Sequence, residues 1–153
     1  MKYFTFKDQD HFTFPAFDIW KMVLNVEQWP RLWKQVIDVE IHTNGKIHER
    51  SHIDCYFTLF HLMHLHFHIQ LTSLKEPAYA SFDIKGDFSG KGRWILREKG
   101  QETYSVLYLH LQTHHPLLKI ISYLPLGERF IQYSHRRVML EGKKMILTRL
   151  EHA

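Results

Sequence analysis

Hydrophobic and polar residues alternate with two different periods along this chain, and the changes of period predict its elements. Residues 2–7 alternate as a short strand. Pro15 suits the first turn of a helix because its φ angle is fixed. An apolar stripe at helical spacing follows it, formed by Ala16, Ile19, Trp20 and Val23. The segment EQWPRLWKQ predicts a second, shorter helix after a break at Pro30.

From residue 36 onwards the hydrophobic period is two, which is typical of strands. The segment VIDVEIHT leads to Asn44-Gly45, a strong hairpin signal. Further alternating segments predict strands at about 46–57, 62–74, 78–86, 90–99 and 102–114. Because every connection between them is short, the strands are expected to form an antiparallel meander.

The last part of the chain returns to a helical period after the segment HHP. A break is expected at Pro125-Leu126-Gly127, followed by a long helix over roughly 126–150. Its stripe is formed by Phe130, Ser134, Val138 and Met145. A sheet with one apolar face must cover that face, and this helix is the only predicted element long enough to do so. The sequence therefore predicts an α+β fold in which a curved, seven-stranded antiparallel sheet grips the C-terminal helix, with two short helices between strands 1 and 2.

Composition and charge restrict the classes of function. The 153 residues, 44% of them hydrophobic, suffice for one domain with one core. No apolar run approaches the roughly 20 residues of a membrane span, and the charged, alternating N-terminus is unlike a signal peptide. A single cysteine, Cys55, excludes an internal disulfide and makes a cytoplasmic location the expectation. The net charge of +4 is spread over scattered Lys and Arg residues, so no nucleic-acid partner is expected.

Three segments resemble the START-like (SRPBCC) superfamily, which includes polyketide cyclase/dehydrase, lipid-transport and birch-pollen-allergen-like proteins. They are FPAFDIWKMVLNVEQWPRLWKQVIDVEI, GDFSGKGRWILREKGQETYSVLYLHL and FIQYSHRRVMLEGKKMIL. In the third, Ser134 stands where Asn is common, whereas His135, Val138, Met139 and Gly142 match. The resemblance covers nearly the whole chain. It implies that residues 1–153 form a single START-like ligand-binding domain, with a helix-grip fold enclosing an apolar cavity.

The resemblance does not select one activity, because the same fold serves carriers, aromatase/cyclases, coenzyme-Q-binding proteins and plant allergens. The favoured hypothesis is binding or transport of a small hydrophobic ligand. The alternatives are a polyketide cyclase/aromatase-type enzyme using the same cavity, and a metal-binding or dimerising accessory module. No catalytic residue and no cofactor is predicted, since no inward pair of acid and base is evident. Cys55 faces inward among apolar residues and is expected to be an inert thiol.

Strand and helix periodicity selects the residues expected to line the cavity. The candidate ligand-binding residues are Trp33, Phe57, Phe67, Ile69, Phe82, Trp94, Leu109, Phe130, Ser134, Arg137 and Val138. Ser134, Arg137 and Glu141 lie one helical turn apart. They would orient a polar ligand group if that edge turns inward. If it turns outward they are surface groups, which is slightly favoured.

The segment HLMHLHFH at 61–68 places its histidines on one face of a strand. Alternation turns Leu65 and Phe67 inward and His64, His66 and His68 outward. A tight loop at 59–61 would pair His66 with Asp54 and His68 with His52, a set that zinc accepts. A solvated strand face is the favoured interpretation and no metal is predicted, with a pH switch as a further alternative. The weak metal candidates are His52, Asp54, His66 and His68.

A second outward set is apolar. Ile95, Tyr104, Val106 and Tyr108 are expected side by side on neighbouring strands. Exposed apolar patches often mark association surfaces, so a homodimer through the sheet is an open hypothesis.

Overall fold

A computed structural model describes residues 3–43 and 46–152, so the predicted turn at Asn44-Gly45 lies outside the described residues. The strands are β1 (Phe4–Phe12), β2 (Val36–His42), β3 (His52–Leu59), β4 (Met63–Lys75), β5 (Tyr79–Gly86), β6 (Phe88–Lys99) and β7 (Glu102–Thr113). The helices are α1 (Ala16–Leu24), α2 (Trp29–Leu32), α3 (Pro116–Tyr123) and α4 (Gly127–Glu151), and a 3₁₀ turn occupies Val26–Gln28.

In the described part of the chain the strands form one antiparallel sheet in the order β1-β7-β6-β5-β4-β3-β2. This confirms the predicted seven-stranded meander, with the first strand added beside the last. β1 extends to Phe12 because it pairs with β7 along its whole length, from Phe4 opposite Leu111 to Phe12 opposite Thr103. The predicted strand ended at Lys7, where polar residues interrupt the apolar alternation. The extra residues place a carboxylate inside the fold.

The helical break predicted near residue 126 is confirmed. α3 ends at Tyr123, Leu126 has a φ of +64°, and α4 begins at Gly127. A Cβ atom on Gly127 would lie 1.7 Å from the carbonyl oxygen of Ile121. Only glycine therefore fits this close approach of the two helices.

The stripe predicted on the long helix α4 faces the sheet at Phe130, Ser134 and Val138 but not at its C-terminal end. Met145, placed on the apolar stripe by its spacing, is 37% exposed, whereas the next residue, Ile146, is 4% exposed. Gly142 is also buried, against the indole ring of Trp33. The bulk of that indole, which only a glycine accommodates, fixes which side of the helix faces inward.

The end of the molecule near α1 is packed. The rings of Trp20 and Trp94 stack with their centroids 5.5 Å apart, and Ile146 belongs to the same buried cluster. The indole Nε1 of Trp94 donates a hydrogen bond of 2.8 Å to Ser105 Oγ, which satisfies its buried polar atom. Sheet, α1 and α4 meet tightly at this end.

Candidate functional site

A cavity of about 380 Å³ lies between the sheet and α4. Each of the strands and helices described above contributes lining residues, and most of those side chains are apolar. Ligand cavities in proteins typically measure about 300–1,000 Å³ and combine an apolar lining with a few polar groups. The volume and lining therefore suit a small hydrophobic molecule.

All but one of the residues predicted to bind a ligand line this cavity. They are Trp33, Phe57, Phe67, Ile69, Phe82, Trp94, Leu109, Phe130, Ser134 and Val138. The alternation of the strands brings the sheet residues together, and α4 adds the last three. Their role in binding stays a prediction.

Arg137 does not reach the cavity, which corrects the prediction made from helical spacing. Its side chain is exposed, and its guanidinium lies 6.0 Å from the ring centroid of Tyr133. Glu141 also points elsewhere, because its carboxylate accepts a 2.7 Å hydrogen bond from Gln35 Nε2 and lies 3.4 Å from Lys34 Nζ. On α4 the cavity face includes Ile131, His135 and Val138, so position 137 falls on the opposite side of the helix.

The sequence did not predict a charged cluster that lies at the cavity edge. Asp8 is only 4% exposed, and its Oδ2 lies 2.5 Å from His135 Nε2. Arg136 donates to both Asp8 Oδ1 and Asp10 Oδ1 at 3.0 Å. Lys143 Nζ lies 3.7 Å from Asp10 Oδ1. Asp10, His135 and Lys143 belong to the cavity lining, so they are the polar counterpart to its apolar walls.

The partners of Asp8 determine its ionisation. Burial alone would raise its pKa, but the hydrogen bonds and positive charges of His135 and Arg136 outweigh burial and lower the pKa below the usual 3.8. Asp8 is therefore ionised at neutral pH, and His135 Nε2 donates the proton of their hydrogen bond. The imidazole is left with Nδ1 as its second nitrogen, which has no hydrogen-bond partner among the described residues.

The missed signal lay in the first strand. Phe4, Phe6 and Asp8 all face inward, as the period of two requires. Extending the alternation past residue 7 would have placed Asp8 inside, opposite the helix that carries His135.

The thiol of Cys55 lies in the cavity wall and is expected to be unreactive. It is buried, and burial raises its pKa to about 12. A thiolate is the reactive form of cysteine, so this residue has no nucleophilic role at neutral pH.

The cavity reaches the surface between Phe60 and Phe130. These are the only exposed residues among the described side chains that line it, at 44% and 43% exposure. Phe60 lies in the turn between β3 and β4, Phe130 lies in the first turns of α4, and their ring centroids are 5.3 Å apart. We refer to this pair as the aromatic mouth.

The predicted metal candidates lie on the outer face of the sheet, away from the cavity. Their register differs by two residues from the prediction: Asp54 lies opposite His68, and His52 lies opposite Gln70. The reason is the turn, which spans residues 60–62 between the paired residues Leu59 and Met63. Nevertheless His66 Nε2 and His68 Nδ1 lie 2.8 Å and 3.1 Å from Asp54 Oδ1. Burial raises the pKa of this carboxyl group, but hydrogen bonds from His66, His68 and His42 outweigh it and lower the pKa to about 2.

The predicted apolar patch on the outer face is partly covered by cations. Tyr104 is exposed, whereas Ile95, Val106 and Tyr108 are half-buried. The guanidinium of Arg93 lies 4.6 Å from the ring centroid of Tyr108, and Lys7 Nζ lies 5.7 Å from it. The surface is thus mixed aromatic and basic.

No protein-family model and no curated protein matches the sequence. Many solved structures match the fold. A START superfamily protein from Mycobacterium smegmatis matches at a TM-score of 0.74 and 14% identity, over 97% of each chain. The ZhuI aromatase/cyclase from Streptomyces sp. R1128 matches at 0.75 and 12% identity, over 98% of this chain and 94% of that one. A protein from Thermus thermophilus matches at 0.75 and 15% identity, over 94% and 97%.

These likenesses agree with the seven-stranded antiparallel sheet and the long C-terminal helix. None of the described helices is both long and apolar enough to cross a membrane. The seven-stranded antiparallel sheet closed by α4 identifies the chain as a protein with the START-like (SRPBCC) helix-grip fold.

Proposed function

We propose that this protein binds a small hydrophobic molecule in the cavity between the sheet and α4. The observation that carries the proposal is the cavity itself, with about 380 Å³ of space and mostly apolar walls. A core of this size without a ligand role would normally be packed to close contact. A binding role also agrees with the START-like and cyclase structures that share the fold. Transport of the bound molecule is the simplest use of such a site.

The charged edge of the cavity suggests that the ligand carries one polar group. Ser134, His135 and Lys143 all lie along α4 on the cavity lining. The Oγ of Ser134 already donates to the carbonyl of Phe130 at 2.9 Å, which leaves its oxygen free to accept. His135 offers its Nδ1 as an acceptor, and Lys143 supplies a donor. A hydroxyl, carbonyl or carboxylate at one end of an apolar ligand would meet matching groups here.

A cavity-filling variant tests the proposal. Val138→Trp places a large ring in the cavity, so we expect it to weaken binding of a fluorescent apolar probe such as ANS by at least about fivefold, or ~1 kcal/mol. Val106→Trp makes the same change on the outer sheet face and should leave probe binding unaltered. Mass spectrometry of lipophilic compounds that co-purify with the native protein should identify the ligand class.

The same variant distinguishes a cavity from a solid core. In a packed core the added ring would cost about 1–3 kcal/mol of unfolding free energy, whereas a cavity accepts it at lower cost. If Val138→Trp destabilises the protein to that extent and the unmodified protein binds no apolar probe, the binding function is wrong.

A second candidate function is a cyclase-type enzyme, favoured by the pair of Asp8 and His135. A buried carboxylate that holds one nitrogen of an imidazole orients the ring for proton transfer at the other. With Nδ1 of His135 unpaired among the described residues at the cavity wall, the ring could take up or release a proton on a bound poly-β-ketone chain. The aromatase/cyclase with the same fold makes this chemistry worth testing.

Cyclisation of a poly-β-ketone thioester, followed by liquid chromatography and mass spectrometry, tests the enzyme. We expect His135→Ala and Asp8→Asn to abolish any acceleration while apolar probe binding persists. Acceleration unaffected by either substitution would remove His135 from the chemistry, and no acceleration by the native protein would leave only the binding function.

We further propose that residues 1–153 act as one ligand-binding domain. The described strands share one sheet, and all of them line one cavity, which supports a single unit. A cytoplasmic location stays a prediction from the sequence, which fractionation with an antibody against the native protein would test.

A further inference from the structure

The outer face of β2, β3 and β4 carries a compact group of imidazoles and carboxylates that the cavity does not use. Asp54 lies at its centre and is 17% exposed. His42 Nε2 lies 2.6 Å from its Oδ2, and His66 Nε2 lies 2.8 Å from its Oδ1. One imidazole comes from the strand on each side. Both oxygens of a single carboxylate therefore face a ring nitrogen.

β2 supplies two groups that the histidine pattern alone did not suggest. Glu40 lies directly opposite Asp54 in the ladder between β2 and β3. One ligand atom each from Glu40, His42 and Asp54 lies within 4.8 Å of the others. Two strands thus bring three groups together above the sheet, and His66 on β4 lies beside them at the other oxygen of Asp54.

The remaining histidines hold this arrangement in place. His68 Nδ1 lies 3.1 Å from Asp54 Oδ1, and its Nε2 lies 2.8 Å from His52 Nδ1. Outer partners of this kind orient the groups that bind a metal directly. The chain His52–His68–Asp54 therefore fixes the carboxylate against rotation.

The two carboxylates of the group lie close together without a basic side chain between them. Glu40 and Asp54 are on adjacent strands, and within residues 3–43 and 46–152 no Lys or Arg lies at ion-pair distance from either one. A bound cation would place a positive charge beside both.

We propose that this face binds one divalent transition-metal ion, with zinc as the expected ion. The ligands are Glu40, His42 Nε2 and Asp54, which already lie together, and His66 Nε2, which moves in from the other oxygen of Asp54. Two imidazoles with two carboxylates suit zinc, whereas magnesium and calcium prefer oxygen ligands throughout. In a tetrahedral zinc site with bonds of about 2.0–2.2 Å, neighbouring ligand atoms lie roughly 3.3 Å apart. The pair of His42 and Asp54 at 2.6 Å needs to open by less than an ångström to admit the ion, and His66 turns from Asp54 Oδ1 to complete the site.

This site is independent of the cavity, because inward and outward side chains alternate along each strand. Asp54 faces the outer surface, and its neighbours Ile53 and Cys55 are buried on the cavity side. The metal and the hydrophobic ligand can therefore be tested separately on one protein.

Zinc titration of the metal-free protein tests the site. Competition against a chromophoric chelator should show one zinc ion per chain with a Kd below about 10 µM, and magnesium should not compete. His42→Ala and Asp54→Asn should each weaken zinc binding by more than about tenfold. His64→Ala is the matched control: His64 is exposed on the same strand as His66, and its removal should leave the Kd unchanged.

Cobalt(II) provides an independent readout of the ligands. A tetrahedral site gives visible absorption bands, which should appear with one equivalent of cobalt and disappear in His42→Ala. Circular dichroism shows whether each variant is folded; should Asp54→Asn fail to fold, the half-exposed His42→Ala and a Glu40→Gln variant carry the test. The absence of saturable zinc binding, or binding that survives all ligand substitutions, would overturn the proposal.

Discussion

A carboxylate buried beside an apolar cavity destabilises the folded state unless its partners compensate for the lost hydration. Asp8 has two such partners, His135 and Arg136, both on α4. The hydrogen bonds of this one side chain on β1 therefore join the first strand to the helix that closes the cavity. It also decides the orientation of His135, on which the cyclase-type alternative depends.

Asp8→Asn should show how strongly the stability that Asp8 contributes depends on its negative charge. Since folding lowers the pKa of Asp8, its ionised form stabilises the protein above pH 3.8, and that contribution is lost as the pH falls through the still lower folded-state pKa. We expect the variant to lose about 1–3 kcal/mol of unfolding free energy at pH 7. The difference from the native protein should shrink below pH 3.8.

Urea denaturation at pH 7 and at pH 3 measures both values. Glu27→Gln, a neutralised carboxylate at an exposed position, is the control and should change stability little at either pH. If Asp8→Asn lowers the unfolding free energy by the same amount at both pH values, the contribution of Asp8 to stability does not come from its charge.

Among the elements, α4 is positioned by a contact between its one internal glycine and an indole ring. A Cβ atom on Gly142 would lie 2.0 Å from Trp33 Nε1 and 2.3 Å from the adjacent ring carbon. The ring also lines the cavity, so it cannot move without altering the ligand site. The glycine that the sequence shares with the START-like pattern thus has a steric reason.

Gly142→Ala should therefore destabilise the protein. On an unencumbered helix this change stabilises by up to about 1 kcal/mol, because alanine is the better helix former. Here the clash should reverse the sign and cost about 1–3 kcal/mol, measured by thermal or urea unfolding. Lys144→Ala, at an exposed position on the same helix, is the control and should be near neutral or slightly stabilising. A stabilising Gly142→Ala would contradict the packing of Trp33.

The elements were largely predictable from the sequence, whereas their rotation and register were not. A period of two specifies which face each strand residue occupies, so Phe67 and Ile69 were correctly placed inward. Pairing across strands depends on where the turn falls, and a turn placed one residue later along the chain shifted the partner of Asp54 from His66 to His68. The rotation of α4 depends on one buried indole, so the sequence did not decide whether Arg137 faces the cavity or solvent.

The candidate metal group was incomplete in the sequence for the same reason. Glu40 and His42 join it only through the pairing of β2 with β3, which a linear pattern does not contain. His66 and His68 could be predicted because they alternate within one strand, and Asp54 because it lies in the strand before it. Glu40 and His42 are brought to the group by the pairing of β2 with β3.

On the scale of the whole molecule, the hypothesis of a homodimer through the outer apolar patch can be tested by measuring the molar mass in solution. Two copies joined through Ile95 and Tyr108 would bring Arg93 and Lys7 of each copy close together. Like charges at the interface repel, and salt screens that repulsion. A dimer of this 18.5 kDa chain should therefore strengthen as salt is raised.

Light scattering coupled to size exclusion, at low and high salt, measures the association. Ile95→Asp should reduce the dimer to monomer, and Ile37→Asp, at an exposed isoleucine on β2, should not. A monomer mass under every condition would exclude the sheet-face dimer and leave the mixed aromatic and basic surface without an association role.

The aromatic mouth would also set the rates at which a ligand enters and leaves the cavity. Since Phe60 and Phe130 stack and are the exposed members of the described cavity lining, we expect a bound molecule to leave by separating the two rings. Phe60 and His61 both have left-handed φ angles, +57° and +58°, which cost roughly 1–2 kcal/mol each in a residue with a Cβ atom. Uptake and release would share this single motion, so residence time would follow the dynamics of a three-residue turn, and association would stay well below the diffusion limit.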